Sequence, residues 1–122
     1  MQTEINEVEV NGIKYIRKDT AQTLIVSKDA IMVRTQSAGV FYGTLAESNL
    51  KEGWVKLKNA RRVWYWDGAA SLSQLATEGT SKPSNCKFPV PVSEVTLLGV
   101  IELIPCTEKA VASLNTVSVW KQ

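Results

Sequence analysis

The 122-residue chain contains no histidine at all. This removes Ser-His-Asp and Cys-His nucleophile pairs, the imidazole acid or base, and histidine metal sites. Carboxylate or lysine chemistry remains open, but the acidic residues are scattered along the chain. We therefore expect a protein that is not an enzyme and has no catalytic residue. Cysteine is nearly as scarce. With Cys86 and Cys106 alone and no acidic cluster, neither a zinc site nor any other cofactor is expected, and the two side chains read as free thiols of a reducing compartment. No stretch approaches the ~18 consecutive apolar residues of a membrane span. Residues 1–10 are acidic and polar, without the apolar core of a signal peptide. The expected location is the cytoplasm, with no membrane partner. Strong charge is missing too: a formal balance of +2 is too small for long-range attraction to DNA or RNA. Any anion site must come from a local cluster.

What is present suits one globular domain over residues 1–122, because 44% apolar and 21% charged residues can build a core at this length. Val8-Glu9-Val10-Asn11-Gly12-Ile13-Lys14-Tyr15-Ile16 alternates around Asn-Gly, the dipeptide that tolerates the positive φ angles of a tight hairpin. Residues 20–30 read as connector. Ile31 to Arg34, Gly39 to Leu45 and Trp54 to Leu57 read as strands, the last continued by the arginine–tryptophan stretch. Ala69 to Glu78 reads as a helix with Leu72, Leu75 and Ala76 on one face, Ser71 and Gln74 as a capping box and Gly79 as its stop; Asp67 is a rival cap. Lys82 to Pro91, with three prolines, reads as loop or edge strand. Val95 to Ile104 reads as a strand buried on both faces and ended by Pro105, followed by a helix capped by Thr107 and a final strand over Val117 to Trp120. The expected class is α+β: a mainly antiparallel sheet with two short helices.

The run Asn59-Ala60-Arg61-Arg62-Val63-Trp64-Tyr65-Trp66-Asp67-Gly68-Ala69-Ala70-Ser71 concentrates the chemistry. Arginine forks suit phosphates, aromatic faces suit nucleobases, and a helix start suits anions. If the strand is regular, Arg62 shares a face with Trp64 and Trp66, while Arg61 shares one with Asn59, Val63 and Tyr65. Which face meets a ligand stays open, as does the alternative that both arginines are solvated. Small residues at Gly68, Ala69, Ala70 and Ser71 let a phosphate approach backbone N–H groups, with Ser71 and Ser73 as extra donors, or equally let helix and sheet pack closely; the P-loop pattern is missing. Arg34-Thr35-Gln36-Ser37-Ala38-Gly39-Val40-Phe41 repeats the ingredients with Arg34, Ser37, Gly39 and Phe41, against the alternative of a plain hairpin turn. Phe88 beside Lys87 and Trp120 beside Lys121 read as packing residues.

The segments Val33 to Phe41 and Lys58 to Ala76, together with Ile104-Pro105-Cys106-Thr107-Glu108-Lys109-Ala110, resemble a group of small phage and prophage proteins, and within it the Thoeris anti-defence family. The resemblance implies an oligomeric sponge that binds the cyclic ADP-ribose signal of bacterial TIR enzymes, or a cyclic oligonucleotide, without turning it over. It implies a small cyclic nucleotide as ligand and a homo-oligomer, to which four tryptophans in a small domain would lend apolar surface. Two other readings stand beside it: a phage inhibitor that binds another protein through an arginine–aromatic hot spot, and a small nucleic-acid module, which the low net charge disfavours.

Overall fold

A computed structural model describes residues 8–10, 13–15 and 26–122. Strands β1 (Val8–Val10) and β2 (Ile13–Tyr15) pair antiparallel with Val10 opposite Ile13, as the Asn-Gly signal predicts. The turn residues themselves, Ile16 and the first part of the expected connector lie outside the described residues. Five further strands form one antiparallel sheet: β3 (Val26–Thr35), β4 (Val40–Asn49), β5 (Trp54–Arg62), β6 (Val92–Leu98) and β7 (Val100–Thr107), in the order β6-β5-β4-β3-β7. With helices α1 (Leu72–Glu78) and α2 (Glu108–Leu114), the fold is α+β and mainly β.

The connection between β6 and β7 sets the shape. These strands lie on opposite edges of the sheet, yet Gly99 alone joins them. Moreover, β6 ends beside the β4–β5 turn, whereas β7 starts beside the β3–β4 turn. On a flat sheet these would be diagonally opposite corners, so the sheet must roll until they meet. Two backbone hydrogen bonds mark the junction: Gln36 N–H donates to Gly99 O (2.8 Å) and Val100 N–H to Gly53 O (3.0 Å). Gly99 turns there at φ +67°, a conformation that L side chains rarely adopt.

Rolling gives the sheet an inside. Ile31, Val33, Phe41, Val55, Leu57, Ala60 and Leu97 are buried there, with Leu45, Val95, Val100 and Leu103 partly so. On the outer side, Met32, Tyr42 and Cys106 pack with Leu72, Leu75 and Ala76 of α1, Ala110 and Leu114 of α2, and Phe88 and Val117. Two cores thus share one sheet, and the apolar residues at successive positions of β3 serve both. The hydrophobic stretch read as one strand from Val95 to Ile104 is instead two edge strands, with Leu98 and Ile101 exposed. Pro105 does not end β7; it lies within it, at an edge where a missing N–H is tolerated. The expected final strand reduces to a parallel bridge between Phe88 and Val119.

Caps follow the sequence signals closely. Ser71 caps α1, accepting from Gln74 N–H (3.1 Å), and Thr107 caps α2, accepting from Ala110 N–H (3.0 Å). Asp67 caps no helix. Gly79 closes α1 at φ +81°, and a Cβ there would overlap the side chain of Ser113. Gly53 has nearly the same backbone, φ +79°, but open space around it. Gly53→Ala should therefore cost only the backbone strain, about 1–2 kcal/mol. Gly79→Ala should add the overpacking penalty, a further ~1–3 kcal/mol. Urea denaturation of the two variants measures the difference, and equal losses would contradict the close helix approach at Ser113.

Candidate functional site

The arginine–tryptophan run does not continue as a regular strand. Asn59 adopts φ +51° and forms a bulge opposite Gly43, where the β4–β5 register shifts. The inward positions change from Val55 and Leu57 before the bulge to Ala60 after it. Regular pairing ends at Arg62, so the expected sharing of faces holds only in part: Val63 joins Arg61 on the helical side, whereas Arg62, Trp64 and Trp66 go to different surroundings.

Arg61 turns toward the helical side, next to its cross-strand partner Tyr42. Its guanidinium lies over the Phe88 ring, 5.1 Å from the centroid. It donates to the carbonyls of Val117 (3.0 Å), Phe88 (3.1 Å) and Ser118 (3.2 Å), while its Nε is buried without a partner. Burial lowers its pKa, with Tyr42 acting in the opposite sense. These contacts fasten the C-terminal segment and leave Arg61 no fork for a phosphate. Trp66 is likewise engaged, donating Nε1–H to Ala69 O (3.2 Å) and packing on the helical core. The helix start is also spoken for: Ala70 N–H donates to the Gln74 side chain, and Ser71 Oγ accepts from Gln74 N–H. A phosphate at Ala70 and Ser71 is therefore not favoured.

Three other candidates do meet. Arg62 lies over the Phe41 ring (4.4 Å) and donates to Ala38 O, while Gly39 approaches its guanidinium at φ +92°. Ser37 is exposed in the same turn. Arg34 is held in an ion pair with Glu102 (2.8 Å) on β7. Thr35 Oγ1 accepts from Ala38 N–H and donates to Gly39 O, so this turn is a self-satisfied hairpin with one arginine stacked on it.

Trp64, a candidate in the sequence, belongs to a separate cluster with Trp120, which the sequence reading left as a packing residue. It stacks on Trp120 with centroids 5.1 Å apart and planes 20° from parallel. Lys87, paired with Tyr65 through an isolated bridge, brings Nζ to 5.6 Å from Trp64, 5.5 Å from Trp120 and 5.9 Å from Tyr65. Near-equal distances to two rings 5.1 Å apart place the ammonium beside the stack, about equally close to both. Trp64 is 59% exposed and Tyr65 48%. Among the described residues, Lys87 has no carboxylate partner. The arrangement offers an aromatic platform with a cation beside it.

Elsewhere, a groove of about 410 Å³ between the helices is lined by Gln74, Glu78, Thr80, Lys109 and Ser113. Asp67 has its carboxyl held below the usual range, first by the Asn85 amide and then by Gly68 N–H. Both cysteines are free and buried. Among the described residues, no group of three metal-binding side chains occurs, and no helix is long and apolar enough to cross a membrane.

Fold and site together define a rolled antiparallel sheet backed by two helices, carrying a surface aromatic–lysine cluster. Residues 28–114, more than half of the chain, match a family described as a domain of unknown function, DUF6948, and the chain belongs to that family. No curated protein and no solved structure matches it.

Two outcomes test these assignments. Arg61→Ala leaves three carbonyls short of a donor and should destabilise the fold by roughly 2–4 kcal/mol, whereas Arg62→Ala, on an exposed stack, should cost within about 1 kcal/mol. Chemical denaturation separates them, and equal losses would refute the anchoring role of Arg61. The second outcome concerns alkali. Burial raises the pKa of Tyr42 and of Cys106 to about 12 each, so both stay protonated in the fold where the unfolded chain ionises. Their contribution is complete below the unfolded thiol value of roughly 8.5 and is lost as pH rises toward about 12. Urea midpoints from about pH 8 to 11 should fall; Tyr42→Phe and Cys106→Ala should each flatten the slope.

Proposed function

We propose that this protein is a non-catalytic binding domain that sequesters a small nucleotide-type ligand, a cyclic ADP-ribose or cyclic oligonucleotide signal of anti-phage defence. The observation that carries the reading is the exposed Trp64, stacked on the half-buried Trp120, with Lys87 beside both rings. A nucleobase laid on the free face of Trp64 gains stacking energy, and an ammonium beside the rings meets an attached phosphate as a point charge. The residues Asn59 to Ser71 that carry the resemblance to the Thoeris anti-defence family lead into this platform, and a chain without histidine suits capture without turnover. Arg62 on Phe41 is the second candidate contact. A competing reading, an interface for another protein, draws on Tyr65 and Val119, each 48% exposed.

Tryptophan fluorescence titrated with a cyclic ADP-ribose isomer, a cyclic dinucleotide and AMP tests the proposal, alongside native mass spectrometry of the unliganded and mixed protein. Quenching with intact ligand retained is expected. Trp64→Ala should weaken binding by about 1–3 kcal/mol, roughly fivefold to a hundredfold, with little change in thermal stability because the side chain is exposed. Lys87→Ala should weaken phosphate-bearing ligands alone. Binding of none of these ligands, or undiminished binding by Trp64→Ala, would overturn the reading.

A further inference from the structure

The rolled sheet leaves two edges, and they are not alike. On β7 the edge is blunted. It contains Pro105, and its pairing with β3 shifts register twice. Proline and irregular pairing are devices that keep an edge from templating another strand. On β6 none of the irregularities occurs. From Leu98 opposite Trp54 to Val92 opposite Ala60, its pairing with β5 keeps one register throughout. Its sequence, Val-Ser-Glu-Val-Thr-Leu-Leu, has no proline, no lysine and a single charge. Val92 and Leu98, at its two ends, are 46% and 69% exposed.

We infer that β6 is an interface with a second copy of this chain, paired antiparallel to itself about a two-fold axis through Val95. The strand's own pattern selects that register. A two-fold axis normal to the sheet keeps each side chain on its face, so only positions of equal parity oppose one another. Centred on Val95, all seven residues are used: Val92 opposes the partner's Leu98, Ser93 the partner's Leu97, and Glu94 the partner's Thr96. The exposed apolar ends cover each other, and no like charges meet. Centred on Glu94, the two carboxylates would oppose one another directly, which disfavours pairing. Glu94 also lies 3.8 Å from Lys56 of β5 and is thus partly neutralised beside the seam. The result is one continuous ten-stranded sheet across two copies. This inference is independent of the ligand reading, since β6 contributes nothing to the Trp64–Trp120 cluster.

The test uses the full chain and two double variants in sedimentation equilibrium over a wide concentration range. The wild type should self-associate to a dimer. V92K/L98K places like charges opposite one another at both ends and should be monomeric; V92E/L98K places opposite charges there and should dimerise again. Unchanged circular dichroism and melting confirm that these exposed positions leave the fold intact. An independent reading of register comes from cysteine trapping. Mixed Val92→Cys and Leu98→Cys proteins should form a disulfide-linked dimer under mild oxidation, and neither should do so alone. A wild type that stays monomeric, equal behaviour of the two double variants, or cross-linking of either single variant by itself would overturn the interface.

Discussion

The one-residue junction at Gly99 is the constraint from which the architecture follows. Because β6 and β7 occupy opposite edges and must still meet, the sheet cannot lie flat. Its roll creates an inner core of apolar residues that needs no covering layer. The outer surface is then free to bind both helices, Phe88 and the C-terminal segment. The bulge at Asn59 serves the same geometry, since it lets β5 bend and changes which residues point inward. Asn59 therefore has a structural role in the strand's path.

The candidate platform depends on the same outer layer. Trp64 follows the end of β5, Lys87 precedes β6, and Trp120 lies near the end of the chain. What brings the last of these to the first two is Arg61, whose guanidinium gathers the carbonyls of Phe88, Val117 and Ser118, aided by the hydrogen bond from Trp120 N–H to Phe88 O (2.9 Å). Of two adjacent arginines, one therefore supports the scaffold and the other lies exposed on Phe41.

Much of the fold was legible in the sequence because its signals are local. Alternation marked the strands, and the hydroxyls of Ser71 and Thr107 marked the helix starts. Leu72, Leu75 and Ala76 proved to be the buried face of α1. The failures come from long-range geometry. An apolar run from Val95 to Ile104 looks like one buried strand, and nothing local says that Gly99 sends its halves to opposite edges. Period-two reasoning across Arg61 to Trp66 assumed a regular strand, but the bulge at Asn59 and the strand's end at Arg62 break the count. Among the candidate site residues, Trp64 was visible as a large aromatic beside basic groups. Its partners Trp120 and Lys87 were not, because their meeting is a tertiary event across distant parts of the chain. The available clue was the second lysine–aromatic pair, at Trp120, which the sequence reading assigned to packing.

Because Trp120 reaches the stack only through the docked C-terminal segment, the platform has a lifetime of its own. Segments held by a few hydrogen bonds at a surface open locally, at a lower free energy than global unfolding. Detachment of the stretch from Ser118 onward would dismantle the stacked pair while both cores, Val117 included, stayed packed. The occupancy of any surface ligand would then be set by the opening equilibrium of this segment, and hydrogen exchange at the Trp120 amide is the clock that reads it.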